Sequence, residues 1–142
     1  MKHNASAVWR GGAQDGDGRI TTESGVLSGA RYGFASGFES ETGTNPEELI
    51  AAAHAGCFAT ALSNGLGAVQ MTAESIAVKA TVSVQKLAAD WTVTDIHLEV
   101  TAKIPGADAA KFMAAANNAK SGCPISRLLG AAAKITMDAR LA

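Results

Sequence analysis

The sequence predicts an α+β fold in a single unit, and three observations carry that expectation. Between residues 49 and 73 there is no Asp, Glu, Lys or Arg, and the stretch is dominated by Ala, Gly and Leu. That is the composition of a helix apolar all round, and such helices are buried. Ile76, Val78, Ala80, Val82 and Val84 alternate with Ala77, Lys79, Thr81, Ser83 and Gln85, the period of a half-buried strand. Pro105-Gly106 and Cys123-Pro124 then punctuate a second helical region before a closing run of alternating character. Strands and helices in separate runs read as α+β.

The elements follow in order. Residues 3–38 read as short strands between turns. The segment GGAQDGDG is a tight turn or exposed loop, GRITTE and RYGFASGF are strands, and Gly33 and Gly37 suggest bulges or close backbone approach. The central helix opens with Asn45 as N-cap and Pro46 at the first helical position. Glu48 falls where a capping-box acid reaches back to the cap N–H, which leaves Glu47 for other work. Asn64-Gly65 and Gly67 mark its end. The alternating strand turns at Ala88-Ala89-Asp90 into a second strand from Trp91 to Ile104. There the apolar residues switch from odd (Trp91, Val93) to even positions (Ile96, Leu98, Val100, Ile104). A bulge at Thr94 or Asp95 reconciles the two parities.

Asp108 caps the next helix, whose Phe112, Met113, Ala116 and Ala119 share one side, with Phe112 and Met113 read as core or equally as pocket lining, and Ser121-Gly122 stops it. Cys123 falls at the cap and Pro124 at the first position of a short helix, PISRLLG. The closing strand presents Ile135, Met137, Ala139 and Leu141 on one face.

The chain has 142 residues, enough for one domain with a core of its own. With 12 basic and 13 acidic residues, composition suggests no nucleic-acid or anionic-membrane partner. The start, MKHNASAVWRGG, has no apolar h-region, and the uncharged run carries His, Ser, Asn and Gln, so no membrane span is expected. A cytoplasmic location is the expectation. Two cysteines without a CxxC suggest neither a disulfide scaffold nor a zinc ribbon.

A thiol at a helix N-terminus, as at Cys123, is favoured as thiolate by the dipole. Cys57, mid-helix, has no such help and needs a cation. Lowering a thiol from about 8.5 to about 5.5 takes roughly 4 kcal/mol. An arginine held by a carboxylate supplies that, and Glu47 is a candidate for holding it.

Taken together, GTNPEELIAAAHAGCF and KSGCPISRLL resemble the OsmC/Ohr family of organic hydroperoxide reductases, and TTESGVL and YGF resemble its OsmC branch. The order of elements agrees along essentially the whole chain. The resemblance implies a single OsmC-like domain over residues 1–142. It also implies an intertwined homodimer whose central helices are wrapped by antiparallel sheets, with no metal, flavin or haem. It implies that Cys57 is the peroxidatic thiolate, Cys123 its resolving partner, and Glu47 the carboxylate that orients an arginine. An organic hydroperoxide would oxidise Cys57 to a sulfenic acid, Cys123 would close a disulfide onto it, and an external dithiol, such as a lipoyl protein, would reopen it. Oxidative and osmotic stress defence is the implied setting.

One departure stands out: where the OsmC branch carries its arginine, in YGFxxRFE, this chain reads YGFASGFE, with Gly37 at that place. In the Ohr branch the arginine comes earlier, near Gly16. Arg19, Arg31 and Arg127 are the candidates to replace it. Two other readings remain. One is a weakly active or inactive dimeric stress protein binding apolar small molecules. The other is a zinc site of His54, Cys57 and Cys123, for which a fourth ligand is lacking; His54 more simply hydrogen-bonds inside the packing. His97 reads as solvated. A thioredoxin-type fold is disfavoured because no βαβ unit is expected.

Overall fold

The computed structural model describes residues 1–33, 43–88 and 90–142. Gly37, most of the RYGFASGF segment and Ala89 of the expected turn lie outside the described residues. The chain divides into two compact units, Met1–Leu49 and Ile50–Ala142.

The first unit is a three-stranded antiparallel sheet of β1 (Ala5–Arg10), β2 (Asp17–Thr22) and β3 (Ala30–Tyr32), in that order. Trp9 and Tyr32 pack with ring centroids 5.8 Å apart, and Gly18 sits beneath both. A Cβ there would lie 2.7 Å from the Tyr32 ring and 2.8 Å from the Trp9 ring, so the position needs glycine for room. The unit ends in the first turn of α1 (Pro46–Ala68). Asn45 caps it as expected, its Oδ1 accepting from the Glu48 N–H at 2.8 Å. Glu48 does not reach back to the cap N–H: its carboxylate accepts from the Thr44 hydroxyl at 2.8 Å, a donor one residue further upstream.

The second unit holds the rest of α1, β4 (Ser75–Lys86), β5 (Trp91–Lys103), α2 (Ala109–Gly122), α3 (Pro124–Leu129) and β6 (Lys134–Leu141). β4 and β5 form the expected hairpin. Its register shifts where Ser83 faces Asp95 and Val84 faces Val93, so Thr94 is the extra residue of a bulge. That places Ile96, Leu98, Val100 and Ala102 in the core. β6 pairs with β5 in parallel. The sheet is therefore mixed rather than antiparallel throughout, and β5–α2–α3–β6 is the βαβ crossover the sequence reading did not expect. Parallel neighbours need a connection of a dozen residues or more, and the two helices supply it. Strand alternation carries no information on direction.

Phe58, Leu62 and Leu66 of α1 join Leu98, Val100, Phe112 and Ala116 in one apolar cluster, against which Ile135, Met137, Ala139 and Leu141 pack. Two expectations need correction. Only His54, Phe58, Leu62 and Leu66 of α1 are buried, one stripe at four-residue spacing, so the helix is not covered all round within the chain. Met113 is 40% exposed, while Ala115 takes the core position. By length and composition α1 is apolar enough to cross a membrane, but its buried stripe lies in the same cluster as the sheet residues. That is the environment of a core helix.

The glycines at 65 and 67 do not end α1. The turn closes at Gln70 (φ 60°), with Met71 N–H bonded to Leu66 C=O and Gln70 N–H to Gly67 C=O, a Schellman motif without glycine at its left-handed position.

Candidate active site

Cys57 lies on α1 three residues after His54, and Cys123 is the N-cap of α3. Cys123-Pro124 builds that cap: proline opens the helix, and the Cys123 sulfur accepts the Ser126 N–H at 3.3 Å. This fold brings the two thiols together. Cys57 lies near enough to Cys123 and to the Ile125 backbone N–H for both to act on its thiol. Cys57 is half-buried and Cys123 buried, and both are free thiols.

A third group joins them. The Cys123 thiol donates to Ser126 Oγ at 3.1 Å, and Ser126 Oγ shares a 2.7 Å hydrogen bond with His54 Nε2. His54 is fully buried, and its Nδ1 has no hydrogen-bond partner among the described residues. Burial pushes the His54 pKa down, which keeps the ring neutral at pH 7. Burial, together with the neighbouring Cys123 thiol, pushes the Cys57 thiol up, against a smaller opposing effect of the Ile125 N–H. Among the described residues no basic side chain contributes to that shift. A cleft of about 510 Å³ runs between α1 and α2, lined by Ala61, Asn64, Gly65, Ala115, Ala119 and Cys123.

Glu47 occupies the first turn of α1 and lines a separate cavity of about 320 Å³ with Trp9, Ala13, Tyr32, Gly33 and Pro46. Its carboxylate makes no hydrogen bond or ion pair among the described residues. The candidate arginines are placed as follows. Arg19 holds Asp17 through two bonds of 2.9 and 3.1 Å, and Arg31 approaches the same carboxylate at 3.6 Å, which helps keep Asp17 below its ordinary pKa. Arg127 is exposed on α3, and its backbone N–H donates to Cys123 C=O at 3.0 Å. At Gly16 a Cβ would lie 2.7 Å from the Trp9 ring, so an arginine does not fit this backbone there.

A family model described as "OsmC-like protein" matches residues 38–138. The chain is 47% identical over 135 residues to "Peroxiredoxin OsmC" of Escherichia coli (strain K12), covering 95% of this chain and 93% of that protein. It belongs to the OsmC family.

Solved structures agree with that placement. The organic hydroperoxide resistance protein OhrB of Bacillus subtilis matches at TM-score 0.74 and 25% identity, over 96% of this chain and 98% of the other. An OsmC-like protein of Mycoplasma pneumoniae matches at TM-score 0.80 and 15% identity, over 99% of this chain and 97% of the other, a likeness of fold.

Within this OsmC-family chain the two cysteines singled out in the sequence share one site, while Glu47 and the arginines at 19 and 31 belong to the first unit. Among the described residues no group of three or more His, Cys, Asp or Glu side chains is gathered to hold a metal, and His54 Nε2 is engaged by Ser126. Ser126 was missed in the sequence. The available signal was its position, third after a Cys-Pro cap, where a side chain returns toward the cap. His97 is less free than its polar face suggested, bonding Thr136 at 2.7 Å and Asp138 at 3.1 Å.

Proposed function

We propose that this chain is a thiol-dependent peroxidase that reduces organic hydroperoxides to alcohols, acting as one domain per chain in a homodimer. The observation that carries the reading is the approach of Cys57 to Cys123 in a chain of the OsmC family. Cys57, as thiolate, attacks one peroxide oxygen; the O–O bond breaks, an alcohol leaves, and Cys57 becomes a sulfenic acid. Cys123 then displaces the sulfenic oxygen as water and closes a disulfide, which an external dithiol reduces. Alkyl or fatty-acid peroxides are favoured over hydrogen peroxide because only they bury hydrocarbon on binding.

The thiolate needs a positive neighbour, since burial alone works against it. In this reading one of Arg19, Arg31 or Arg127 supplies it in the assembled dimer, with Glu47 orienting the guanidinium. The dimer is supported by the uncovered faces of α1, whose residues outside the His54–Phe58–Leu62–Leu66 stripe are not buried in the chain. The test is direct. Recombinant protein with dithiothreitol or a lipoyl dithiol should consume cumene or tert-butyl hydroperoxide, and Cys57→Ser should abolish this. No peroxide-dependent thiol loss in the wild type overturns the reading.

A second reading is favoured by the upward push on Cys57 and by the largely apolar cleft between α1 and α2: a dimer that binds apolar small molecules with little turnover. A Cys57 that titrates near about 8.5 and reacts no faster than free cysteine supports it.

A further inference from the structure

We propose that Ser126 and His54 form a proton relay that takes the thiol proton of Cys123 as it closes onto oxidised Cys57, a proposal that rests on the disulfide-forming reading above. Cys123 is 1% exposed although it borders the cleft, and His54 is fully buried, so little of this thiol is open to a base from solvent. The hydrogen bonds supply a path instead. The thiol S–H donates to Ser126 Oγ at 3.1 Å, and the Ser126 hydroxyl has His54 Nε2 at 2.7 Å. With Nε2 accepting, the ring proton sits on Nδ1, the atom without a partner among the described residues. The chain of donors then runs in one direction, from sulfur to ring.

The step balances. An S–S bond forms between Cys123 and Cys57 as the Cys57 S–O bond breaks; the Cys57 sulfur is reduced and the Cys123 sulfur oxidised by the same electron pair. The thiol proton moves to Ser126 Oγ while the Ser126 proton moves to His54 Nε2. Hydroxide leaves Cys57 and becomes water with a proton from solvent, which the imidazolium later repays. Once the thiol proton has moved to Ser126 Oγ, that O–H and the Ser126 N–H are both placed to donate to the Cys123 sulfur. Ser126 touches a reacting atom, whereas His54 acts through it and is a positioning residue. The titratable groups of the cluster are the ring and the two thiols; among the described residues only burial acts on the ring, and it keeps the ring a neutral base.

The experiment uses full-length protein in single turnover. Tert-butyl hydroperoxide oxidises Cys57, dimedone traps the sulfenic acid, and disulfide closure is timed against Cys57 oxidation in the same samples. For Ser126→Ala and His54→Gln the ratio of closure to oxidation should fall by about ten- to a hundredfold, toward the low end of general-base effects. Ser126→Thr should recover most of it. Closure in Ser126→Ala should also become more pH-dependent than in the wild type, since hydroxide and solvent must then take the thiol proton. Wild-type closure should stay nearly flat. A role in packing alone leaves that pH profile unchanged.

Closure in Ser126→Ala and His54→Gln within about twofold of wild type between pH 6 and 8 overturns the relay; His54→Gln alone decides if Ser126→Ala does not fold. Diamide separates the two proposals, because its adduct on Cys57 is closed by Cys123 without peroxide. Wild-type protein that closes with diamide but ignores peroxide overturns the peroxidase reading, and the diamide ratios then decide the relay by the same limits.

Discussion

At the scale of single residues, the site depends on what burial does to His54 and Cys57. His54 is fully buried with one hydrogen bond, and burial lowers its pKa below the ordinary 6.5. The unfolded ring therefore binds a proton that the folded ring refuses over the window between the two pKa values. Stability should fall as pH drops below about 6.5, and His54→Gln should flatten that slope in urea titrations between pH 5 and 8. Equal slopes in both proteins would refute this origin. Leu62 and Met113 are a second contrast. Met113 reads as core or pocket lining in the sequence, and Leu62 falls in the uncharged run of the central helix; Leu62 is fully buried and Met113 is 40% exposed. Leu62→Ala should cost about 2–5 kcal/mol, whereas Met113→Ala should change stability by about 0.5 kcal/mol or less, by chemical denaturation.

At the scale of elements, local chemistry decides where segments begin better than where they end. Asn45-Pro46, Asp108 and Cys123-Pro124 open α1, α2 and α3 as their types require: the Asn45 and Asp108 side chains and the Cys123 sulfur each accept a backbone N–H in the first turn. The end of α1 was misjudged because glycine is permitted in a helix as well as past it. The packing of Met71 and Leu66 in one cluster carries the chain through Gly65 and Gly67 to a left-handed Gln70. Gln70→Gly should relieve that backbone and stabilise the protein by about 1 kcal/mol, read as a raised urea midpoint with unchanged slope. The bulge in β5 was legible because parity is a property of the sequence; Thr94 falls where odd gives way to even. Its buried hydroxyl, left without a partner among the described residues, is the cost of resetting the register.

At the scale of the whole molecule, the buried hydrophobic residues among those described all belong to the second unit. The first unit exposes Val8 at 46% and Val26 at 84%, and much of the apolar surface of α1 is uncovered in one chain. Apolar surface of this kind marks a site of association. Sedimentation equilibrium at micromolar concentration should give twice the chain mass, and a monomer there would overturn the proposed homodimer.

The sequence by itself determined the α+β class, the strand parity, the helix starts and the two cysteines worth watching, because each follows from residues close together along the chain. Family membership was legible too, in the motifs around Cys57 and Cys123, and similarity over 95% of the chain agrees with it. Only the tertiary structure decided that β6 runs parallel to β5 and that Ser126 links Cys123 to His54. Those depend on which surfaces face each other after packing. Strand direction and contacts between residues 72 positions apart in the chain leave no periodic trace in the order of the amino acids.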